Sequence, residues 1–167
     1  MSITLDRPNF NYAQKAALTL LKENHVIEPP VDPVMIARNR GLSVFFVELP
    51  PDMQSVSGFY DFEENAIFVN KDEYPLRQTF TIAHELGHKI LHEDWVKTKD
   101  YRVLLRDQGG KSSDPREREA NAFAAHLLVP RFMLSKYWNV MSVEALSELF
   151  AVSVPVIKNR IAFEYGA

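Results

Sequence analysis

The sequence predicts an α+β fold, in which a small mixed β-sheet packs on a central helix and the second half of the chain is mostly helical. Three runs rich in β-branched and aromatic residues, "LSVFFVEL", "SVSGFYDF" and "NAIFVN", all precede residue 71 and are typical of strands. From Pro75 onward, apolar residues recur mainly at helical spacing, as expected of helices that bury one face.

Two helices are predicted before the sheet. Apolar residues recur at helical spacing within residues 11–25, and "EPPVDP" ends that pattern because proline does not continue a helix. A second short helix fits residues 33–39, and Gly41 stands where a C-terminal cap is expected. The strand "LSVFFVEL" follows it, and Glu63 and Glu64 join the other two strands into a predicted hairpin.

The remainder of the chain predicts helices around one loop. Residues 75–92 have no proline after the first position and predict a long helix. Residues 93–114 mix charges with a candidate strand at 101–105 and the Gly109–Gly110 break, so we expect a loop there. Further helices are predicted at 115–129, 142–150 and 154–164.

Composition favours a single domain over residues 1–167. The chain has neither an apolar run of membrane-spanning length nor a basic-then-apolar leader, so a cytoplasmic location is expected. It has no cysteine, which leaves His, Asp and Glu as the ligands of any metal. The net charge of -3 disfavours tight binding of nucleic acid by the whole domain.

The motif "HELGH", His84 to His88, points to metal chemistry. Residues four apart lie on one helix face, so His84 and His88 can direct their imidazoles at one zinc ion. Zinc lowers the pKa of water and polarises a peptide carbonyl, while Glu85 can take and return the proton. Gly87 suits a helix that packs closely on another element. The plainer interpretation is an amphipathic helix with two unrelated surface histidines.

His92 follows His88 by four positions but is not predicted to share the metal. With a rise of about 1.5 Å per residue, His84 and His92 lie about 12 Å apart along the axis, too far for one tetrahedral ion. We interpret His92 as a neighbour of the site or as a solvent-exposed residue at the helix end.

Glu117 is the candidate third ligand, with Glu119 as the alternative. Helix phase places Glu117 on a small apolar face that can pack on the motif helix, and Glu119 on the opposite side with Ala122, Phe123 and His126.

Glu117 also has an interpretation without metal, as the capping-box glutamate of a helix whose N-cap is Asp114. That interpretation does not explain Asn121, because a polar amide among alanines and leucines needs a buried partner. A hydrogen bond to the free ring nitrogen of a zinc-binding histidine would provide that partner.

With "HELGH" followed by "EREANAFAAHLLVP", the chain resembles the ImmA/IrrE family of zinc metallopeptidases. The segments "PPVDPVMIARNRGLSV", "GFY" to "IFVN" and "VEALSELFAVSVPVIKNRI" match it too, so the resemblance covers most of residues 10–165. It implies a zincin-like, thermolysin-like core in which one catalytic Zn2+ is held by His84, His88 and Glu117, with Glu85 as general base and acid.

The resemblance also implies a partner and a place of action. Its better-understood members act inside the cell and cleave a helix-turn-helix (XRE-type) repressor, usually encoded nearby. The alternative is a toxin-like or regulatory binding module of a toxin–antitoxin pair, with little or no proteolysis.

Two further regions carry open expectations. Residues 142–164 have the rhythm of a helix-turn-helix, with Lys158, Asn159 and Arg160 on the second helix, but direct DNA binding by an acidic domain is disfavoured. The hairpin either pairs with an extended peptide substrate or is an ordinary covered edge. Four residues are candidates to stabilise an oxyanion, and none is assigned: Tyr60, His92, Tyr101 and Arg102.

Overall fold

The computed structural model describes residues 7–101 and 114–167, and the α+β class is confirmed. The elements are α1 (Phe10–Glu23), α2 (Pro33–Asn39), β1 (Ser43–Val47), a 3-10 helix (Pro51–Met53), β2 (Gly58–Asp61), β3 (Ala66–Asn70), α3 (Pro75–Leu91), α4 (Glu93–Val96), α5 (Pro115–Leu128), α6 (Arg131–Leu134), α7 (Val143–Phe150) and α8 (Val154–Tyr165). Within those two ranges, no helix is both long and apolar enough to cross a membrane.

The three strands form one mixed sheet in the order β1-β3-β2. β2 and β3 are the predicted antiparallel hairpin, with Tyr60 opposite Ile67. β1 runs parallel to β3 and places Val44 opposite the same Ile67. Asn65 closes the hairpin with a φ of 49°, a conformation that asparagine tolerates, and its side chain accepts a 2.7 Å hydrogen bond from the Tyr60 hydroxyl.

The helix ends follow local sequence signals. Asp32, Asp114 and Ser142 cap α2, α5 and α7, and each side chain accepts a hydrogen bond from a backbone N–H of the first turn. α2 ends at Asn39, two residues before Gly41, whose φ of 89° is the left-handed conformation that glycine adopts after a helix. The boundaries therefore fall within one or two residues of the predicted ones.

α5 packs against both α1 and α3, and this corrects the predicted orientation of one of its faces. Glu119, Phe123 and His126 were predicted to lie on the outer side of α5, but all three are buried. Helix phase assigned only the Glu117 side of α5 to α3, but α1 and α3 both cover this helix, and a periodic pattern does not reveal how far around it their contacts extend.

α3 and α5 approach each other closely at Gly87. A Cβ atom built on Gly87 would lie 2.9 Å from Cδ1 of Phe123, closer than packed carbon atoms approach. The prediction that Gly87 permits close packing is confirmed, and its partner is Phe123, one of the residues that phase had assigned to the far side.

The predicted loop after α3 contains more helix than expected. It begins with α4, and Tyr101 is helical rather than extended. The rest of the candidate strand at 101–105, and the Gly109–Gly110 break, lie outside the described residues.

The two C-terminal helices occur as predicted, but one of the three polar residues considered for DNA contact is buried. Arg160 is 2% exposed; its Nε donates a 2.9 Å hydrogen bond to the Val129 carbonyl, and its Nη2 donates one of 2.6 Å to Glu164. Lys158 and Asn159 are exposed. Arg160 therefore joins α8 to the end of α5 and does not face solvent.

Candidate metal centre

α3 and α5 bring His84, His88 and Glu117 together, although 29 residues separate His88 from Glu117. His84 Nε2 lies 3.0 Å from Glu117 Oε2, and His88 Nε2 lies 2.7 Å from Glu117 Oε1. The two imidazole rings meet edge to face, with their centroids 4.7 Å apart. Each oxygen of the carboxylate thus faces one histidine.

The charges in this cluster are strongly coupled. Burial alone would raise the pKa of Glu117, but hydrogen bonds with His84 and His88 outweigh burial and hold that pKa well below its usual value. Burial alone would lower the pKa of His84, yet the hydrogen bond to Glu117 and the negative charges of Glu85 and Glu117 raise it. The space between the nitrogens and the carboxylate therefore favours a positive charge, either protons or a cation.

The outer nitrogen of each imidazole also has a partner. His84 Nδ1 lies 2.8 Å from Asn121 Oδ1, and His88 Nδ1 lies 2.9 Å from His92 Nδ1. Asn121 has a motif histidine as its partner, as expected, but the contact is exposed and not buried. When the protons sit on the two Nδ1 atoms, both Nε2 lone pairs are directed into the cluster.

A divalent metal ion fits this donor set. Two imidazole nitrogens and one carboxylate are ligands that a catalytic zinc takes from a protein, and fixed acceptors on the second ring nitrogens are how ligand histidines are oriented. Glu85 also lies nearby, since one ligand atom from each of His84, Glu85 and His88 falls within 4.8 Å of the others. Distance alone therefore admits either Glu117 or Glu85 as the third ligand.

Glu85 is 4% exposed and is held by a residue that sequence reasoning did not connect to it. The Tyr101 hydroxyl donates a 2.8 Å hydrogen bond to Glu85 Oε2 and accepts one of 2.9 Å from the backbone N–H of Tyr60 on β2. Burial raises the pKa of Glu85, and the neighbouring histidines oppose that rise. No local pattern links Tyr101 to Glu85, because the contact depends on how the chain folds back after α4.

These contacts settle part of the expectation about the hairpin. The Tyr60 N–H on the outer edge of β2 is already paired with Tyr101, so at this residue the covered-edge interpretation is correct. The Tyr60 hydroxyl is bonded to Asn65, and Arg102 lies outside the described residues.

His92 is a neighbour of the site and is not solvent-exposed. It is 8% exposed, contacts the outer nitrogen of His88, and directs its own Nε2 towards Glu119 Oε1 at 3.6 Å. Burial lowers the pKa of His92 to about 3, and the positive charges of His88 and Arg116 add to that effect. His92 is therefore a neutral imidazole, placed behind His88 and not beside Glu117.

Comparisons with known proteins place the chain among metallopeptidases. It is 33% identical over 86 residues to the uncharacterized immunity region protein 2 of Bacillus phage phi105, which covers 50% of this chain and 51% of that protein. It is 34% identical over 79 residues to the radiation response metalloprotease IrrE of Deinococcus radiodurans, covering 47% of this chain and 24% of that protein. The corresponding protein of Deinococcus deserti is 37% identical over 75 residues, covering 44% and 25%. The chain thus spans about half of the phage protein and about a quarter of each Deinococcus protein.

A solved structure of a Mycobacterium tuberculosis transcriptional regulator shares the fold. It superposes with a TM-score of 0.67 over 91% of this chain and 46% of that one, at 20% sequence identity. The peptidase M78 family, described as the IrrE N-terminal-like domain, matches residues 37–162, a range that contains both the motif helix and Glu117. The resemblance found in the sequence is confirmed: the chain belongs to the ImmA/IrrE family of metallopeptidases.

Proposed function

We propose that this protein is a zinc-dependent endopeptidase in which His84, His88 and Glu117 bind the metal and Glu85 is the general base. The observation that carries the proposal is the pair of contacts in which both Nε2 atoms meet both oxygens of one carboxylate. The helix-on-mixed-sheet arrangement supports assigning the core to the zincin-like class. A cytoplasmic location is part of the proposal and follows from the composition and the resemblance.

Glu117 is preferred over Glu85 as the third ligand because the two carboxylates have different hydrogen-bond partners. Glu117 directs both oxygens at the histidines, whereas Glu85 accepts a hydrogen bond from Tyr101. A ligand position needs an oxygen that points at the nitrogen donors, and a base needs a carboxylate beside them. The two glutamates therefore fit different roles in one reaction.

The metal ion and the side chains have different roles in the proposed reaction. When bound, zinc supplies a Lewis acid that polarises the scissile carbonyl and makes water more acidic. Glu85 takes the proton from the attacking water and returns it to the departing amine. Its burial raises its proton affinity, and the Tyr101 hydroxyl fixes the direction in which its carboxylate points. Asn121 and His92 hold the two histidine rings.

We propose a protein as the substrate, with a helix-turn-helix repressor or antitoxin as the first to test. The resemblance implies such a partner, and the names of the relatives, an immunity region protein and a radiation response metalloprotease, fit a regulatory setting. Direct DNA binding is not part of the proposal, since Arg160 is buried in the C-terminal pair of helices.

The test uses the purified chain, zinc and a helix-turn-helix protein encoded beside it. We expect about one zinc per chain, cleavage of the partner, and fragments whose termini define a single region. Glu85→Gln should keep the metal and lose cleavage, whereas Glu117→Gln should lose the metal. Cleavage by Glu85→Gln at the wild-type rate would remove Glu85 from the mechanism.

A second candidate function is partner binding without proteolysis, as in a toxin–antitoxin pair. The observation that favours it is the pair of hydrogen bonds that the Tyr101 hydroxyl makes with Glu85 and with the Tyr60 N–H of β2. Tyr101 therefore covers part of the strand edge on which a substrate would pair. A stable complex with intact partner at every zinc concentration would support this function over the first.

A further inference from the structure

His88, His92 and Glu119 form a line of polar side chains that leads away from the metal cluster into the protein interior. His88 Nε2 faces Glu117 at one end, and His88 Nδ1 lies 2.9 Å from His92 Nδ1. On the other side of the second ring, His92 Nε2 lies 3.6 Å from Glu119 Oε1. All three side chains are buried, with exposed fractions of 0%, 8% and 3%.

The positions of the hydrogen atoms along this line follow from the role of His88. A neutral histidine that offers Nε2 to a metal carries its one proton on Nδ1, so His88 Nδ1–H must donate to His92 Nδ1. His92 then has its own proton on Nε2, directed at Glu119. Each donor thus meets an acceptor, and the line ends on a carboxylate, one of the groups that support ligand histidines in metal sites.

The last contact of the line, between His92 and Glu119, is longer than a hydrogen bond. His92 Nε2 and Glu119 Oε1 are both buried and without a hydrogen-bond partner in the described part of the chain, although they face each other. A buried polar atom without a partner is costly, and a shift of about 0.5 Å would bring the two atoms within hydrogen-bond distance. The backbone N–H of Asn9 already bonds to the Glu119 carboxylate and ties this end of the line to α1.

We propose that His92 and Glu119 are positioning residues for His88: His92 accepts the Nδ1 proton, Glu119 fixes the His92 ring, and His88 Nε2 is thereby kept free for the metal. This inference rests on the proposed zinc site and extends it, because His84 is held by Asn121 and His88 is held by this separate line. The two ligand histidines therefore have unlike supports, one an exposed amide and the other a buried imidazole backed by a carboxylate.

Metal affinity tests the proposal without reference to proteolysis. Cobalt(II) and zinc affinities are measured by competition with a chelator, and the visible absorption of the cobalt(II) form reports ligand geometry. His92→Phe keeps the ring size but removes the acceptor, so we expect affinity to fall about 10- to 100-fold and the cobalt spectrum to change. His92→Asn places an amide oxygen near the position of the His92 Nδ1 atom and is expected to recover most of the affinity.

The Glu119→Gln variant distinguishes the proposed hydrogen-bonded line of side chains from a simple packing effect. We expect a smaller loss of affinity than for His92→Phe, and no additional loss when the two changes are combined, because Glu119 acts only through His92. The matched control is His126→Phe, which replaces another buried histidine of 4% exposure whose contacts are with Glu164 and Phe163. That control should bind metal like the wild type.

The outcomes distinguish this inference from the proposed function. Wild-type affinity and an unchanged cobalt spectrum in His92→Phe, with binding that still requires His84, would overturn the positioning role and leave the zinc site standing. Binding that does not require His84 and Glu117 would overturn both proposals. Urea unfolding of the metal-free variants identifies any that fail to fold, and in that case the Glu119→Gln and His92→Asn pair decides.

Discussion

The hydroxyl of Tyr101 donates a hydrogen bond to Oε2 of Glu85 across a distance of 2.8 Å. The hydroxyl oxygen of Tyr101 also accepts a hydrogen bond from the Tyr60 N–H, so one buried atom connects the proposed base on α3 to the outer edge of β2. Tyr101 is 2% exposed, and burial together with the nearby charge of Glu85 raises its pKa well above the usual value. The Tyr101 hydroxyl is therefore neutral, and able to donate a hydrogen bond, at neutral pH.

Tyr101→Phe is expected to lower the free energy of unfolding by about 1–3 kcal/mol, because it leaves the Glu85 carboxylate and the Tyr60 N–H without this partner. Urea unfolding at pH 7 measures the change. The matched control is Tyr165→Phe, which removes a buried hydroxyl that has no hydrogen-bond partner among the described residues. Equal losses in the two variants would contradict the assignment of energy to the Tyr101 contacts.

Zinc is expected to stabilise the protein through the three proposed ligands. At a free concentration of about 100 times Kd, a ligand that binds only the folded chain adds about 2.7 kcal/mol to the free energy of unfolding. Thermal unfolding with and without zinc measures the shift. Glu117→Ala should abolish it, while Glu85→Gln should retain it; loss of the shift in Glu85→Gln alone would make Glu85 the third ligand.

Gly87→Ala is expected to destabilise the protein by about 1–3 kcal/mol through overpacking. Alanine gains about 1 kcal/mol of helix propensity over glycine, but its Cβ would sit 2.9, 3.2 and 3.3 Å from three atoms of Phe123. The double variant with Phe123→Leu tests the cause, since the smaller side chain should recover part of the loss. If the losses of stability in the two single variants simply add in the double variant, the strain does not come from the contact with Phe123.

His126 is expected to make stability depend on pH below about 6.5. Burial, followed by the charge of Arg160, lowers the pKa of His126 to about 4, while Glu164 opposes the shift. The unfolded chain therefore binds a proton between pH 6.5 and 4 that the folded chain does not, so stability falls as pH falls through this window, by at most about 3 kcal/mol.

The difference between wild type and His126→Phe isolates this effect, because the other titrating groups are common to both proteins. We expect the difference in unfolding free energy to change between pH 7 and pH 4.5 and to be constant above pH 7. A difference that is the same at every pH would show that His126 keeps its ordinary pKa.

The parts of the site that the sequence predicts are those governed by spacing within one helix. His84 and His88 share a face because they are four apart, and Glu117 and Asn121 share one for the same reason. A single packing assumption, that α5 lies on α3, then brings the four residues together. Helix rise also separated His92 correctly from the Nε2 side of the cluster.

The parts that the sequence does not predict depend on a third element. Phase divides α5 into an inner and an outer face, but Glu119 and Phe123 are buried because α1 and α3 both cover that helix. Arg160 appears in sequence as one of three polar residues on a helix, and only its contact with the Val129 carbonyl shows that it is internal. The bond from Tyr101 to Glu85 likewise requires the chain to turn back after α4.

In the proposed site, a metal ion would join His88 to Glu117, 29 positions later in a chain that has no cysteine. A cation held at both ends of that interval closes a covalent-like loop and restricts the unfolded chain as a cross-link of the same span would. Unlike a disulfide, this cross-link is removed by chelation or by acid. The stability of the folded chain would therefore depend on metal occupancy as well as on the contacts within the protein.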